Sequence, residues 1–351
     1  MPPTITFKCP SCGGFLTFDP EGQRFKCAHC SSDFDEATLV ELSEKLEQQA
    51  RQDEPAQEPH LRTYNCQMCG AQIVTGETTA ATRCYYCHQP VVLADRMDDE
   101  FRPDGVIPFQ LDKDEAEASF RSHVKKKWFV DKAFYQTARR EDFSGVYYPY
   151  WCGDFAGEAT FDGTGQRVTT TSTPREIITT TSYYHVHRKG NVSVRSLMRN
   201  ALKSANRKLS DGVAPYRLDE IKPFAAGYLS GFLAERRDIP KEAVDFDLLG
   251  EARSHVHDMM SDSTGFSSLT GRTEFVPEEA KISQYLLPAW VMTYQPGKQQ
   301  KDQTPYYYMI NGQTGNVCGR FPVNKGKLLL WSLVLGAAVA ALLMLGGALL
   351  W

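Results

Sequence analysis

The sequence predicts a β-rich α+β protein with a cysteine-rich N-terminal part, a larger mixed body and a C-terminal membrane-spanning helix. Three observations lead to this prediction. A pattern of four cysteines occurs twice within the first hundred residues, Thr- and Tyr-rich segments accompany two or three helical patterns between about residues 98 and 325, and the chain ends in an uncharged apolar run. Strands and helices that do not alternate regularly are typical of α+β folds.

Composition and charge exclude several classes of protein. With 351 residues, of which 42% are hydrophobic and 11% aromatic, the chain is long enough to form more than one domain with a buried core. A formal net charge of −4 and a pI near 6.1 create no overall positive field for nucleic acid or an anionic membrane. The N-terminal stretch MPPTITFKCP lacks the pattern of a signal peptide, so we expect the ten cysteines to be reduced.

Two units of the form C-x2-C-x14-C-x2-C stand in tandem. The first unit holds Cys9, Cys12, Cys27 and Cys30, and the second, offset by 57 residues (66 − 9), holds Cys66, Cys69, Cys84 and Cys87. Two residues between cysteines let both thiolates face one ion, and the longer gap fits a β-hairpin that closes a tetrahedral S4 site. Gly13 and Gly70 follow the second cysteine of each unit, where a tight turn favours glycine. The sequence therefore predicts two zinc ribbons and two Zn²⁺ ions per chain.

Residues 84–88, CYYCH, also match the attachment motif of a c-type haem. A haem would need an oxidising compartment and a distal ligand, and nothing in the sequence indicates either. Ser31 stands in the first unit where His88 stands in the second, so the position does not require histidine. A redox-active pair is also disfavoured, because no thioredoxin-like βαβ pattern surrounds these cysteines. His29, within CAHC, is expected to be exposed because four cysteines already complete the site.

Changes in composition divide the chain into five parts. Residues 1–37 and 61–97 are the predicted ribbons, and residues 38–60 between them form an acidic linker that is helical to about Arg51 and breaks at Pro55 and Pro59. An α+β body follows at 98–325, and a transmembrane helix at 328–350. Within the body VIPF resembles IKPF, RSHV occurs twice, and YYPYW resembles LLPAW. These similarities predict an internal duplication with halves of about 98–210 and 211–325.

Local patterns define the elements of the body. GVIPF at 105–109 predicts a strand, and the following segment predicts a helix with Asp112 as N-cap and Glu115 completing a capping box. One face of that helix holds Ala116, Phe120, Val124 and Trp128. The Thr-rich stretch from 145 to 195 predicts β-sheet with turns at DGTG and RKGN, and Asn311 with Gly312 predicts a two-residue hairpin turn.

The C-terminal segment from Leu328 to Trp351 carries no charge. A helix rising ~1.5 Å per residue over this length would cross a hydrocarbon core of ~30 Å. A buried core helix is the alternative, but such helices rarely run so far without a polar break. Arg320, Lys325 and Lys327 precede the span, so the positive-inside rule predicts a single-pass protein of the inner membrane with the preceding chain in the cytoplasm.

The sequence contains no recognised catalytic motif. A phosphate loop, a dinucleotide fingerprint, H-E-x-x-H and G-x-S-x-G are all missing. His185 and His187 are interpreted as ordinary strand residues, and Cys152 and Cys318 as single thiols that lack a nearby base. We therefore expect no catalytic residues and no cofactor other than zinc.

Several motifs together resemble one bacterial family. They are CPSCGG with a second C-x-x-C pair, VIPF before an amphipathic helix, GVYYPYW, YLSGFLAE at 228–235 and INGQTGNVCGRFP before the apolar tail. The chain resembles membrane-associated proteins with transcription-factor-IIB-type zinc ribbons, often labelled by analogy with a replication-restart helicase although this chain has no helicase motor. The resemblance covers most of the chain and implies a non-enzymatic protein with phage-shock-type or SPFH-domain partners. The tandem ribbon departs from members that carry one.

Three classes of function remain: a membrane-tethered adaptor, a nucleic-acid-binding ribbon protein, and an enzyme without a recognised motif. Charge separates the first two, because residues 5–35 hold three basic and four acidic side chains, and residues 61–97 three and two. Nucleic-acid binding depends on neutralising several phosphates. The sequence therefore predicts an adaptor that binds protein partners at the membrane, with nucleic-acid binding as the alternative.

Overall fold

The computed structural model describes residues 4–35, 37–38, 40–41, 43–45, 62–67, 72–76, 78–84, 89–93, 101–130, 143–174, 176–262, 265–294 and 306–349. The strands are β1 (Thr4–Ile5), β2 (Leu16–Asp19), β3 (Arg24–Cys27), β4 (Asp33–Phe34), β5 (Arg62–Asn65), β6 (Gln72–Thr75), β7 (Thr79–Arg83), β8 (Pro90–Leu93), β9 (Gly105–Val106), β10 (Phe143–Ser172), β11 (Ile177–Asn200), β12 (Lys222–Pro223), β13 (Leu233–Glu235), β14 (Ser268–Tyr294), β15 (Tyr306–Asn311) and β16 (Val317–Gly319). The α-helices are α1 (Lys113–Lys125), α2 (Arg207–Gly212), α3 (Lys241–Met260) and α4 (Lys325–Leu349), and short 3₁₀ helices occupy Leu218–Glu220 and Ala226–Leu229. The protein is a β-rich α+β fold, as predicted.

An 11-stranded sheet organises the body in the order β1-β8-β7-β13-β10-β14-β15-β16, with β11 beside β10, β9 beside β14, and β12 beside β9. Its three longest strands, β10, β14 and β11, have 30, 27 and 24 residues. Within the described part of the chain, residues 155–194 of β10 and β11 and residues 268–280 of β14 pair only with one another. They form a three-stranded extension of the sheet, which we call the arm. Beyond Gln166 only β10 and β11 pair, so the arm ends in a two-stranded hairpin.

Side chains of the central strands alternate between two faces of the sheet. Tyr147 and Trp151 lie on the face that α1 and α3 cover. Tyr150 and Cys152 lie on the opposite face and pack against α2 and the segment that follows it. The two faces therefore have separate cores.

The YYPYW and LLPAW segments pair with each other across β10 and β14. Tyr147 lies opposite Pro288 and Pro149 lies opposite Leu286, so the pairing is the same when the two segments are exchanged. The segments that contain VIPF and IKPF also meet, because β9 pairs with β12. This local two-fold relationship is what two copies of one unit would produce, although the duplication itself stays a prediction.

Helix α1 begins as the sequence predicts. The Glu115 N–H donates to Asp112 Oδ1 at 2.8 Å, and the Asp112 N–H donates to Glu115 Oε2 at 2.9 Å, which completes the capping box. The predicted buried face is correct for its first three members but wrong for Trp128, because the helix ends at Lys125 and Trp128 is 71% exposed. The strand predicted at 105–109 is limited to Gly105–Val106.

The two turns predicted at DGTG and RKGN are wrong. DGTG lies inside β10 and RKGN lies inside β11. Past the paired ends of these strands, the Thr173 N–H donates to the Glu176 carbonyl at 2.8 Å. Gly163 of DGTG is needed for close packing instead, since a Cβ there would lie 2.4 Å from the Thr270 carbonyl oxygen of β14. Gly163 therefore marks contact between backbones and not a change of direction.

The hairpin predicted at Asn311 and Gly312 is present, but its loop is longer than two residues. The Asn311 N–H donates to the Asn316 carbonyl at 2.8 Å, and the Gly315 N–H donates to the Asn311 carbonyl at 3.0 Å. Gly315, with a φ of +76°, takes the left-handed conformation that the turn requires.

The cysteine-rich part is joined to the body. β1 pairs with β8 and β7 pairs with β13, so these strands belong to the main sheet. The first unit forms a separate sheet, β2-β3-β4, that packs against the body through Phe18, Phe25 and Tyr228, whose ring centroids are 5.1 to 5.8 Å apart. Of the predicted linker 38–60, the described residues are helical, and Arg51, Pro55 and Pro59 lie outside the described residues.

Helix α4 starts at a side-chain cap, because Asn324 Oδ1 accepts a hydrogen bond from the Lys327 N–H at 3.0 Å. Among the residues that the structure describes, no helix has both the length and the apolar character needed to span a membrane. The transmembrane helix predicted at 328–350 is therefore not supported by the described structure.

Candidate metal centre

The four cysteines of the first unit converge, as their spacing predicts. Their Sγ atoms all lie within 4.8 Å of one another, with 3.7 Å between Cys9 and Cys30 and 3.5 Å between Cys12 and Cys27. Sulfur atoms in a tetrahedral site with Zn–S bonds of about 2.3 Å are about 3.8 Å apart. The donor set and its dimensions are compatible with one metal ion such as zinc.

Both C-x-x-C segments of this unit form the same turn. The Gly13 N–H donates to the Cys9 carbonyl at 2.9 Å, and the Ser31 N–H donates to the Cys27 carbonyl at 3.0 Å. Gly13 and Ser31 both have left-handed backbones, with φ of +72° and +58°. The role predicted for Gly13 is confirmed. The equivalent role of Ser31 could not be recognised, because serine is not typical of this conformation.

Backbone N–H groups point at the sulfur atoms. The Gly14 N–H donates to Cys12 Sγ at 3.4 Å, and the N–H groups of His29 and Cys30 donate to Cys27 Sγ at 3.4 and 3.5 Å. Such donors stabilise a thiolate. The Cys30 N–H in this way lowers the pKa of Cys27.

The thiols of the cluster differ in acidity. The Ser32 hydroxyl, 3.1 Å from Cys30 Sγ, lowers the pKa of Cys30 to about 6. The Gly14 N–H lowers the pKa of Cys12, but the Cys30 thiol, burial and the other two thiols outweigh it and raise that pKa to about 12. Cys12 and Cys30 therefore do not ionise together by themselves. A bound cation would supply the charge that holds four thiolates at neutral pH.

Gly14 leaves no room for a side chain between the two C-x-x-C turns, which we call knuckles. A Cβ at this position would lie 2.8 Å from the Cβ of His29, 3.1 Å from Cys27 Sγ and 3.3 Å from Cys12 Sγ. The Gly14 carbonyl also accepts a hydrogen bond from the Cys9 N–H at 2.6 Å. Sequence reasoning missed this residue, although the CGG sequence contains it.

The second unit is described in part. Cys66 and Cys84 are buried in a small core with Tyr64, Ile73 and Val91. Cys69 and Cys87, together with Gly70 and residues 85–88 of CYYCH, lie outside the described residues. A second metal site is therefore not described.

The described backbone of the second unit nevertheless repeats that of the first. Lys8 pairs with Phe15 as Asn65 pairs with Gln72, and Lys26 pairs with Asp33 as Arg83 pairs with Pro90. The hydrogen bond from the Cys27 N–H to the Ser32 carbonyl, 3.0 Å, is matched by one from Cys84 to Gln89, 2.9 Å. Each pair in the second unit lies 57 residues (84 − 27) after its counterpart in the first unit.

The remaining sulfur and imidazole groups lie elsewhere. His187 is exposed on β11 with Nδ1 2.8 Å from Asp162 Oδ1, and the described residues contain no metal-ligating cluster apart from the first unit. His29 is exposed, as predicted. Cys152 is buried in the core on the α2 face, and burial raises the pKa of its thiol. Cys318 Sγ contacts the Lys208 carbonyl at 3.4 Å.

Comparison with known proteins gives one informative match. The protein YdjG of Bacillus subtilis (strain 168), itself uncharacterized, is 31% identical over 352 aligned positions, which cover 98% of this chain and 99% of YdjG. No family model matches the chain. No solved structure matches it.

Proposed function

The chain belongs to the family of the uncharacterized Bacillus subtilis protein YdjG, and we propose that it is a membrane-anchored zinc-ribbon adaptor that recruits protein partners to the membrane surface. The observation that carries the proposal is the arm, a long sheet extension with large apolar side chains in solvent. We place the protein at the inner membrane with its N-terminal part in the cytoplasm.

Zinc is the metal that we propose for both cysteine units. Thiolates are soft ligands, and closed S4 sites are typical of structural zinc. The first unit supplies a suitable cluster, and the matching backbone of the second unit supports a site formed by Cys66, Cys69, Cys84 and Cys87. In this role the two ions contribute folding energy and hold each pair of knuckles together.

Membrane attachment is assigned to α4. The sequence from Leu328 onward carries no charge, and Trp331 on the first turns of the helix lies with its ring centroid 5.6 Å from that of the exposed Trp128. Tryptophan and basic residues mark the interface between a bilayer and water. Lys325 and Lys327 begin the helix, and the run Lys125–Lys127 stands just before Trp128. These cations would favour anionic lipid headgroups.

The start of α4 is held against the body. The Asn324 N–H donates to the Phe129 carbonyl at 2.7 Å, and Val323 forms a β-bridge with Val130. The residues after α1 and the residues before α4 therefore approach any bound membrane together. This arrangement would fix the height of the body above the lipid surface.

The partner surface is assigned to the arm. Ile177, Tyr183 and Val276 are 72%, 66% and 73% exposed. Exposed apolar patches often mark protein contacts, and Val168, Ile178 and Tyr184 at the same end of the arm as Ile177 and Tyr183 are exposed as well. Within the described residues β11 pairs only with β10, so its outer edge is available to an added strand. The resemblance to zinc-ribbon membrane proteins suggests phage-shock-type or SPFH-domain proteins as the partners.

Charge near the cysteine cluster favours protein partners over nucleic acid. The Lys26 ammonium is 2.5 Å from Asp19 Oδ2, and this pair raises the pKa of Lys26. A cation already paired with a carboxylate gains less from a phosphate contact. Nucleic-acid binding is therefore the less favoured alternative, and the copurification experiment below distinguishes it from protein binding.

The test is copurification of the tagged full chain from detergent-solubilised membranes of cells that lack the native protein. We expect Ile177→Ser with Tyr183→Ser to lose the copurifying proteins while the chain stays in the membrane fraction. Truncation before Leu328 should release the chain together with its partners. Phe246→Ser is the matched control, because Phe246 is 78% exposed but lies on α3.

Two results would contradict the proposal. If the partners still copurify with the variant that carries Ile177→Ser and Tyr183→Ser, the arm is not their binding surface. Nucleic acid that copurifies with the chain, and whose digestion releases the bound proteins, would favour the nucleic-acid alternative.

A further inference from the structure

The end of the arm is a two-stranded hairpin with open edges. Beyond Gln166 strand β10 pairs with β11 alone, and among the described residues no strand pairs with the outer edge of β11. Every described residue from Arg167 to Thr181 is exposed. A two-stranded hairpin without a covered face is marginally stable in water, so strands added to its edges would stabilise it.

Hydrogen bonds on the β10 side show which backbone groups of the hairpin point outward. The Val168 N–H donates to Ser267 Oγ at 3.0 Å, and the Ser267 N–H donates to the Gln166 carbonyl at 2.7 Å. The backbone groups of Gln166 and Val168 therefore face away from β11. Along an antiparallel ladder such outward pairs alternate with hydrogen-bonded pairs, and both members of an outward pair face away from each other. On β11 the outward members of this series are Tyr183, Thr181, Thr179 and Ile177.

The outer edge of β11 lacks the usual protection against strand addition in this stretch. Natural edge strands are blunted by charged side chains, proline or bulges. Residues 177–184, IITTTSYY, contain no charged residue and no proline, and their pairing with β10 has no register shift. Arg188 and Lys189 lie closer to the body. The edge is therefore suited to a strand that is itself uncharged and rich in β-branched or aromatic residues.

The same edge of a second copy meets this requirement. When two β11 edges pair antiparallel, outward residues must lie opposite outward residues. A two-fold axis at Thr180 satisfies this condition and places Ile177 opposite Tyr183 of the second copy, and Thr179 opposite Thr181. Ile177 and Tyr183 are 72% and 66% exposed in one chain, and a β-branched residue opposite an aromatic one is a favourable cross-strand pair. Moving the axis by one residue in either direction separates Ile177 from Tyr183.

We propose that two copies of this chain associate through the ends of their arms, with β11 pairing antiparallel to β11 about a two-fold axis at Thr180. The overlap spans residues 177–183 and joins two hairpins into one four-stranded sheet, an isologous contact. The antiparallel direction places the two bodies at opposite ends of this sheet. The inference rests on the proposed function in taking the arm as a contact surface, and it names a second copy as the first partner there. Other proteins would then meet the joined sheet.

Disulfide cross-linking of the zinc-loaded full chain in detergent micelles tests the register. At the axis the two Thr180 residues form a pair without mutual hydrogen bonds, with Cα atoms about 4.5 Å apart, a separation that a disulfide can span. We expect Thr180→Cys to give a covalent dimer with oxidised glutathione, above the background of the native chain. Ile178→Cys is the matched control, because Ile178 is also exposed but its two copies would lie about 14 Å apart. Cross-linking of Thr180→Cys no greater than that of Ile178→Cys would overturn the register.

The mass of the full chain, measured by light scattering with correction for the micelle, tests the edge. We expect the native chain to be a dimer. Thr179→Pro removes an outward N–H from β11 and should weaken the dimer about tenfold or more, while the ladder with β10 stays intact. Thr170→Pro makes the same change on the outer edge of β10 and should leave the dimer unchanged. A monomeric native chain, or a dimer that Thr179→Pro does not weaken, would overturn the proposal.

Copurification separates this inference from the proposed function. A monomeric chain that still binds other proteins through its arm would overturn the pairing of arms and leave the recruitment of partners standing. A dimer that Thr179→Pro weakens, but that copurifies with no other protein, would support the pairing and overturn the recruitment.

Discussion

The indole nitrogens of Trp151 and Trp290 make the same contact in the two halves of the body. Trp151 Nε1 donates to the Ile239 carbonyl at 2.9 Å, and Trp290 Nε1 donates to the Leu111 carbonyl at 3.0 Å. Each accepting residue stands two positions before the helix that covers the same face of the sheet, α3 at Lys241 and α1 at Lys113. The two tryptophans therefore fix the starts of the two helices.

Replacing either Trp151 or Trp290 by phenylalanine should lower the free energy of unfolding. Phenylalanine keeps an aromatic ring but leaves the helix-side carbonyl without its donor, which costs about 1 kcal/mol for the hydrogen bond. Chemical denaturation of the native chain and the two variants measures the effect. Trp128→Phe, at an exposed position, should change stability by less than about 0.5 kcal/mol. Equal stability of all three variants would contradict the role of the indoles.

The elements that the sequence predicts well depend on local patterns. Helix α1 was predicted with its capping box because Asp112 and Glu115 lie three residues apart and satisfy each other's backbone. The arm was not predicted, because the continuity of its strands depends on pairing between segments about a hundred residues apart. A glycine within such a strand looks like a turn until its neighbour across the sheet is known, as Gly163 and Thr270 illustrate.

Gly163→Ala should therefore destabilise the protein more than Gly190→Ala. A Cβ at Gly163 would meet the Thr270 carbonyl oxygen at 2.4 Å, whereas a Cβ at Gly190 has nothing within 4 Å. Overpacking of this kind typically costs about 1 to 3 kcal/mol, and the change at Gly190 should be near neutral. Chemical denaturation compares the two directly. A similar loss at both positions would mean that glycine is needed for strand flexibility and not for close approach.

The metal centre was predictable from the sequence only in part. The spacing of Cys9, Cys12, Cys27 and Cys30 was sufficient to predict the cluster, because two short loops and one hairpin bring them together whatever the rest of the chain does. The roles of Gly14 and Ser31 were not predicted. Gly14 matters because of a close contact between the knuckles, and Ser31 because of its backbone φ angle. Neither leaves a pattern in one sequence.

Gly14→Ala should weaken metal binding by the first unit. The added methyl group would lie 2.8 Å from the Cβ of His29 and 3.1 Å from Cys27 Sγ, so the two C-x-x-C turns must move apart and the four thiolates surround one ion less closely. We expect an affinity loss of about tenfold or more, in the range seen when groups that support metal ligands are changed. Competition with a chromophoric chelator measures it. Gly250→Ala on α3, where a Cβ meets nothing within 4 Å, should leave the affinity unchanged.

Metal removal should destabilise the body and not only the cysteine units. Phe18 and Phe25 of the first unit pack on Tyr228, and the Ser230 hydroxyl donates to the Leu16 carbonyl at 2.5 Å. Loss of the ion would loosen this shared core. Thermal unfolding monitored by tryptophan fluorescence should therefore shift to lower temperature when a strong chelator is added, and return on addition of zinc. An unchanged transition of the body would show that the interface contributes no stability.

Glu235→Gln should stabilise the protein at high pH and change the pH dependence of unfolding. Burial raises the pKa of Glu235 in the folded state above its value of about 4.3 in an unfolded chain, and the nearby Asp238 acts in the same direction. The folded state therefore holds this proton more tightly, so the stabilising contribution is complete below the unfolded pKa and is lost as the pH rises through the folded pKa.

Above both pKa values the native protein carries a buried, uncompensated charge, whereas the glutamine variant does not. The difference in unfolding temperature between variant and native chain should accordingly grow as the pH rises above the unfolded pKa, with the variant the more stable at the upper end of the range. Any loss of metal at the acidic end affects both proteins and cancels in the difference. Glu278→Gln, at an exposed position on β14, should show a constant difference over the same range, and a constant difference for Glu235→Gln as well would mean that solvent already reaches the carboxylate.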